Sequence, residues 1–311
     1  MPLEIRRLSP SSLDAARALL THPSLAPEFH PLGLPATLED TLADPFFSPE
    51  ASPLALVDGV PAGLCITFAL PGGAGAPWAG MRLGVIAPHR RRGVGRALVA
   101  AATASLARLG PALRPRELAL TAWVPNPEAE AFAAALNHRR VRSYWRMDRP
   151  AAGCPAPIWP ADVELRTFDG SDAALRDWND VYNASFARHY HYVPSTVEIC
   201  RAHAARERFR PDGTALAYRV GRAAGFCRCE WIGDEAEVAL LGVAPAARGL
   251  GLGRALLRWG VRYLAGRGAG IVTLRVDGDN ESALALYRSE QFEVTRTRAI
   301  WSRGDGLSTA G

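Results

Sequence analysis

Short apolar runs and amphipathic runs alternate along the chain in an order that occurs twice. In the C-terminal half the order opens on "VELRTF" from Val163, which predicts a strand. The stretch "AALRDWNDVYNASFA" and another beginning near Thr196 space their apolar residues as helices do. Strand-like runs follow in "ALAYRV", "GFCRCEWI" and "EVALLGV". A glycine-rich bend then leads into the helical pattern "GRALLRWGVRYLAG". After it come a strand, "GIVTLRV", a second helix, "NESALALYRSEQ", and an apolar tail, "FEVTRTRAIW". The N-terminal half repeats the order, from "LEIRRL" at Leu3 through "LALV" and "GLCITFAL" to a glycine bend of its own.

The repetition holds a near-constant register. "LGVIAPHRRRGVGRALV" from Leu83 matches "LGVAPAARGLGLGRALL" from Leu241 at an offset of 158, so that Val85 meets Val243 and Gly95 meets Gly253. "PAGLCITF" and "AAGFCRCE" match at 162, and Asn126 and Asn280 at 154. A period this long marks a duplicated domain rather than a solenoid repeat. "PAAGCPAPIWPA", Pro150 to Ala161, reads as an extended, proline-rich linker. The expected organisation is a first domain over 1–149, a linker over 150–161 and a second domain over 162–303. Each is an α/β fold with a mixed sheet (α+β).

Composition narrows the picture. With 48% hydrophobic and 22% charged residues in 311, the chain reads as two globular domains. No apolar run is long enough to span a bilayer, and "MPLEIRRLSP" lacks a signal core, so a cytoplasmic protein with no membrane partner is expected. The five cysteines (65, 154, 200, 227 and 229) form no CxxC pair, which argues against a disulfide frame or a zinc site; Cys227 and Cys229 alternate on one strand face. A net charge of +5 favours an anionic ligand or simply a basic surface. All 36 basic residues are arginine, which excludes a P-loop, because its phosphate-binding lysine is missing. The arginines are dispersed, and no nucleic-acid partner is expected.

The glycine bend is the candidate for chemistry. Pro245, Arg248, Gly251 and Gly253 follow a strand and open a helix. Glycines allow close backbone approach, and a helix N-terminus offers unpaired N–H donors, so the bend suits a pyrophosphate. A tight strand–helix connection with glycines only for packing fits the same residues. A Rossmann fingerprint fits poorly, since its third small residue would fall at Leu256.

The spacing Val243-x-Pro245-x-x-Arg248-x-x-Gly251-x-Gly253 resembles the acetyl-CoA motif of the GCN5-related N-acetyltransferases (GNAT). Asn280 to Tyr287, ending near Phe292, resembles that family's second segment, with Gln291-Phe292 where Gly-Phe is usual. The resemblance covers both halves and implies two tandem GNAT (acyl-CoA N-acyltransferase) domains. Within the family, the tandem arrangement, "EVALLGVAPAARGLGLG" and "NASFARHY" resemble mycothiol synthase and its relatives. The same resemblance implies a sheet whose fourth and fifth strands splay apart. The pantetheine arm of acetyl-CoA would lie along Leu241, Gly242 and Val243. The pyrophosphate would rest on Arg248, Gly249, Leu250, Gly251, Leu252, Gly253 and Arg254, with Asn280 also counted among the cofactor contacts. Tyr287 takes the general-acid position and Glu237 the base position, on a strand face that period-two alternation shares with Ala239, Leu241 and Val243. Glu230 is the reserve base. His189 and Tyr190 in "RHYHYVP" fall where the family roofs its acceptor site. No metal is implied.

The two copies are unequal. The first keeps a glycine turn, so Leu83, Val85, Arg90, Arg91, Gly93 and Gly95 form a possible second CoA site. At the constant offsets it has Ala79 for Glu237 and Ala133 for Tyr287, and its proline is displaced to Pro88. The expected activity is therefore acetyl transfer from acetyl-CoA to a small-molecule amine in the second domain, by a monomer or homodimer. Two alternatives stand beside it: mycothiol synthase proper, acting on a cysteinyl-glucosaminyl-inositol amine, and a CoA-binding regulator without turnover.

Overall fold

The computed structural model describes residues 2–29, 38–72, 76–206 and 208–304. In chain order the elements are β1 (Leu3–Arg7), α1 (Leu13–Leu20), α2 (Ala26–Phe29), α3 (Leu38–Leu42), β2 (Pro53–Val57), β3 (Val60–Leu70) and β4 (Trp78–Val85). Then come α4 (Val94–Leu106), β5 (Glu117–Val124), α5 (Pro127–Ala134) and β6 (Arg139–Pro150). The second copy supplies β7 (Val163–Thr167), α6 (Asp172–Phe186), α7 (Val197–Ala204), β8 (Thr214–Arg219), β9 (Arg222–Ile232) and β10 (Glu235–Val243). It closes with α8 (Leu252–Ala265), β11 (Ile271–Asp277), α9 (Glu281–Ser289) and β12 (Glu293–Gly304). The doubled strand–helix order read from the pattern is present.

The chain divides into two compact units, Met1–Ser143 with Thr297–Gly311, and Tyr144–Arg296. This corrects the expected boundaries at 149 and 162. The last strand of each copy is twelve residues long and changes unit part-way. From Tyr144 to Pro150, β6 pairs antiparallel with β11, while from Thr297 to Gly304, β12 pairs antiparallel with β5. The 150–161 segment is likewise no free linker. Ala151, Cys154 and Trp159 pack into the second unit's core, and Arg262 donates to the Cys154 carbonyl at 3.1 Å.

Within each unit the order is the same. β1, β2, β3 and β4 run antiparallel, β4 pairs parallel with β5, and β12 completes the first sheet. β7, β8, β9, β10, β11 and β6 repeat that arrangement in the second. The parallel pairing is short in both. It ends at Met81 against Leu120 and at Val238 against Leu274, although β10 continues to Val243 and β11 to Asp277. Beyond those rungs the two strands part, as the resemblance implied.

The helices explain why the two faces differ. α8 buries Leu252, Ala255, Leu256, Leu257, Val261 and Leu264, a stripe at helical spacing, against the sheet. Gly260 lets it close in, because a Cβ there would stand 2.8 Å from the Cys227 sulfur and 3.1 Å from that of Cys229. Both thiols therefore face α8, and all five cysteines are buried and free. On the opposite face α6 and α7 cover β8 and β9 through Trp178, Val181, Phe209 and Phe226. Trp178 and Phe209 stack at 5.8 Å between centroids.

Candidate active site

β10 carries a bulge that its counterpart lacks. Its pairing with β9 passes from Val238 against Cys229 to Leu240 against Arg228, leaving Ala239 as the extra residue. β4 pairs with β3 without interruption from Trp78 to Val85. The bulge corrects the expected strand face. Glu237 lies opposite Glu230, and past Ala239 their face continues through Leu240 and Gly242. Leu241 and Val243 turn to the α8 side, where they pack on the second unit's core. It also corrects the register between the copies. Counting from the last parallel rung, the first-unit counterpart of Glu237 is Gly80, not Ala79. Ala79 points into the first unit's core, and the Trp78 ring comes within 3.1 Å of where a Cβ on Gly80 would be.

Glu237 is 2% exposed. Arg275 donates to its Oε1 at 2.5 Å, while its Oε2 has no hydrogen-bond partner among the described residues. Burial raises its pKa above the ordinary 4.5; Arg275 opposes that shift, and the carboxylates of Glu230 and Glu235 add to it. Glu230 is differently placed. Arg228 holds its Oε1 at 2.9 Å and Arg208 approaches its Oε2 at 3.4 Å, so both oxygens face arginines. Of the two candidate bases, Glu237 has the acceptor in reserve.

Tyr287 lies on the other face. It is 8% exposed, packs with Phe292 at 6.1 Å in the α8-side core, and burial raises its pKa. Its hydroxyl makes no hydrogen bond among the described residues. Ala133 stands at the matching place in α5 and is buried in the first core.

The glycine bend is left-handed at two positions and open to its surroundings. Gly249 and Gly251 sit at φ +79 and +82, left-handed values that cost other residues about 1–2 kcal/mol, and a Cβ on either would meet nothing within 4 Å. The bend is thus open at the first turn of α8, where Leu252, Gly253 and Arg254 have N–H groups without helical acceptors. Leu250, beside them, is exposed. The two arginines are already engaged. Arg248 donates to the carbonyls of Val243 at 3.2 Å and Ser185 at 3.0 Å, closing the bend and tying α6 to it. Arg254 pairs with Glu290, which Arg258 also holds at 2.9 Å. Asn280 caps α9, accepting from the Ala283 amide at 3.2 Å.

The first unit keeps the same scaffold with less room. Arg90 closes its bend on the Val85 carbonyl at 2.9 Å and reaches Glu128 at 3.1 Å. Gly93 matches Gly251 at φ +83, but Arg91 sits at φ +62 where the second copy has Gly249. A Cβ on Gly95 would lie 3.2 Å from the Phe132 ring, whereas the nearest atoms to one on Gly253 stand at 3.6 Å. Pro88 and Pro245 both fit the short 3-10 turn before the bend, at its second and first positions, which absorbs the displaced proline.

His189 and Tyr190 lie in the loop between α6 and α7, His189 edge-on to Phe186 at 4.6 Å. That loop is organised by a residue the sequence did not single out. Asn183 Oδ1 accepts from the Tyr192 hydroxyl at 2.7 Å and the Ser195 amide at 2.8 Å. Arg275, Arg146 and Asp148 were missed as well. "TLRVD" reads as an ordinary strand, and nothing local says that its arginine meets Glu237. Among the described residues no group of three or more His, Cys, Asp or Glu is placed to hold a metal ion.

The profile of the Acetyltransferase (GNAT) family matches residues 20–137 and again 175–291. The chain belongs to this family. It is an N-acetyltransferase built from two GNAT segments, of a family that takes its acyl group from acetyl-CoA. The mycothiol acetyltransferase of Thermomonospora curvata is 39% identical over 249 residues, covering 77% of each chain. That of Geodermatophilus obscurus is 32% identical over 311 residues, covering 96% of this chain and 97% of its own. Among solved structures, a GCN5-related N-acetyltransferase from Sphaerobacter thermophilus superposes with a TM-score of 0.70 at 23% identity, covering 97% of this chain and 96% of that one. A tandem GNAT protein from the clavulanic acid biosynthesis pathway reaches 0.71 at 20%, covering 99% and 100%. These two structures share the enzyme's fold.

Proposed function

We propose that the enzyme transfers an acetyl group from acetyl-CoA to the primary amine of a small molecule, with its chemistry in the second unit. The observation that carries the reading is the placement of Glu237 and Tyr287 on opposite faces of one sheet, in the copy whose β10 parts from β11 after Val238. From Leu241 to Val243, β10 pairs with β9 but not with β11, which leaves its β11-side backbone to a pantetheine arm, and the open bend at Gly249–Gly253 offers N–H groups to a pyrophosphate. Glu237 Oε2 accepts the amine proton, directly or through water, as the nitrogen attacks the thioester carbon. The C–S bond breaks as the C–N bond forms, and the departing sulfur takes the Tyr287 proton. The first unit, with Gly80 and Ala133 at those places, serves structure rather than turnover, even if its own bend retains CoA.

The finer reading makes the acceptor the cysteinyl amine of cysteinyl-glucosaminyl-inositol. The two mycothiol acetyltransferases named above support it, as does a polar face suited to a hydroxyl-rich acceptor, with Arg146, Asp148, Thr273 and Arg275 near Glu237. We place the reaction in the cytoplasm; no helix among the described residues is long and apolar enough to cross a membrane. Release of free CoA thiol, measured with acetyl-CoA and a panel of amines that includes this glycoside, tests both levels. Turnover of other amines alone would leave the broad reading and remove the finer one. Saturable acetyl-CoA binding without thiol release from any amine would favour a regulator.

A further inference from the structure

A line of alternating charges crosses the face of the second sheet that carries Glu237. Asp148 on β6 binds Arg146 at 3.0 Å, and Arg146 also pairs with Glu235 on β10. Arg275 on β11 stands between Glu235, with Nη2 3.9 Å from Oε2, and Glu237, with Nη1 2.5 Å from Oε1. The bonding at Arg275 is one-sided. Its Nε and Nη2, the parallel fork of the guanidinium, have no hydrogen-bond partner among the described residues, and neither has Oε2 of Glu235 or of Glu237. Two exposed pairs of this chain close that fork on both oxygens, Arg6 on Glu4 at 2.6 and 2.8 Å and Arg166 on Glu164 at 2.8 Å twice. A buried pair left half open forgoes that stabilisation in the place where desolvation costs most. The open oxygen remains an acceptor.

We propose that Arg275 is the positioning residue of the Glu237 base, an inference that rests on the reading of Glu237 given above. Arg275 is the first residue of β11 beyond the last rung, Val238 against Leu274, so its side chain starts from the mouth of the gap. By holding Oε1 from there it leaves Oε2 as the single open acceptor and favours the ionised carboxylate. Glu235, held in turn by Arg146, places a second carboxylate 3.9 Å from Nη2 of Arg275 and so keeps the guanidinium beside Glu237. Arginine suits the task because it stays charged at every working pH and its planar head fixes direction.

Other charges on this face are accounted for. On the β9 side Glu230 is matched by Arg228 and Arg208, and Asp277 lies two residues beyond Arg275 on β11. On the covering helices, burial with Arg228, Arg206 and Arg208 pushes His203 down to about 3, so it is neutral at assay pH, and burial raises Tyr182.

The test compares Arg275→Met, Arg275→Lys and Glu237→Gln in the full chain, each checked for folding by circular dichroism. For Arg275→Met the expected result is a loss in kcat of about thirtyfold or more, an acid limb displaced at least one unit to higher pH, and an unchanged KM for acetyl-CoA. Arg275→Lys recovers most of the loss. Adding Arg275→Met to Glu237→Gln costs nothing further, since the arginine acts through the carboxylate. A second loss in that double variant would make Arg275 a substrate contact and overturn the proposal, as would a folded Arg275→Met enzyme with an unmoved acid limb. Carboxyl-carbon NMR of glutamate-labelled protein reads the same link without turnover: the Glu237 signal, identified by its loss in Glu237→Gln, titrates at higher pH in Arg275→Met. Full activity in Glu237→Gln would remove the base reading itself, whereas the NMR result stands or falls on Arg275 alone.

Discussion

Glu237 and Glu230 face one another across β9 and β10, two buried carboxylates in direct register, and of the two only Glu237 keeps an oxygen without a partner among the described residues. The charge of Glu230 pushes the pKa of Glu237 up. Arginines on both sides relieve that conflict unequally. Glu230 is matched by two of them and Glu237 by one, and the unmatched oxygen is the one available to a substrate proton.

The pH dependence arises first from burial, with Arg275 opposing it and the carboxylates of Glu230 and Glu235 adding to it. Burial holds Glu237 above 4.5, and the base form is the carboxylate, so activity carried by this group falls as pH drops through its raised pKa. In the kcat profile, which reports the bound state, the acid limb is expected above the ordinary carboxylate range. Glu237→Gln abolishes that limb and lowers kcat by a factor on the order of 10² or more. An identical limb in the variant would pass the role to another group.

Tyr287 gives a separate handle on the other face. Tyr287→Phe keeps the ring against Phe292 and removes only the hydroxyl, so the fold is expected to persist while kcat falls at least about tenfold. Acetyl-CoA affinity, measured by calorimetry, changes little. Full turnover at saturating acceptor would exclude the phenol as the acid.

The two bends offer a matched comparison. Gly93 and Gly251 share φ values of +83 and +82 and open surroundings, so an Asp at either meets the same backbone strain, about 1–2 kcal/mol, without a clash. Gly251→Asp is expected to abolish activity by placing negative charge at the α8 N-terminus. Gly93→Asp leaves kcat largely intact. A folded Gly93→Asp protein without turnover would show that the first unit takes part in the reaction.

Gly242 tests packing rather than chemistry. A Cβ there would stand 2.4 Å from the Phe226 ring and 3.0 Å from the Ser185 hydroxyl. Gly242→Ala must push Phe226 or α6 away from β10, and a loss of about 1–3 kcal/mol in urea unfolding is expected. An unchanged midpoint would mean that α6 yields freely at its C-terminal end.

Much of this enzyme was determined locally. The glycine bend and the helix it opens are short-range chemistry: a left-handed residue at Gly251 and an apolar stripe on α8 need no distant partner to be read. The asparagine caps of α5 and α9 fall under the same rule, and the duplication showed as a repeated spacing. What the tertiary structure alone decided depends on pairing between strands far apart in sequence. Each sheet takes its sixth strand from the end of the other copy, because a twelve-residue strand carries no mark of which neighbour it will bond. One extra residue at Ala239 reverses the faces of Leu241 and Val243 and moves the counterpart of Glu237 from Ala79 to Gly80, since side-chain direction in a strand alternates and a single insertion inverts everything after it. Arg275 is an unremarked strand residue until β11 lies beside β10. The charge that meets Glu237 arrives from 38 positions along the chain, and the fold is what brings it to 2.5 Å.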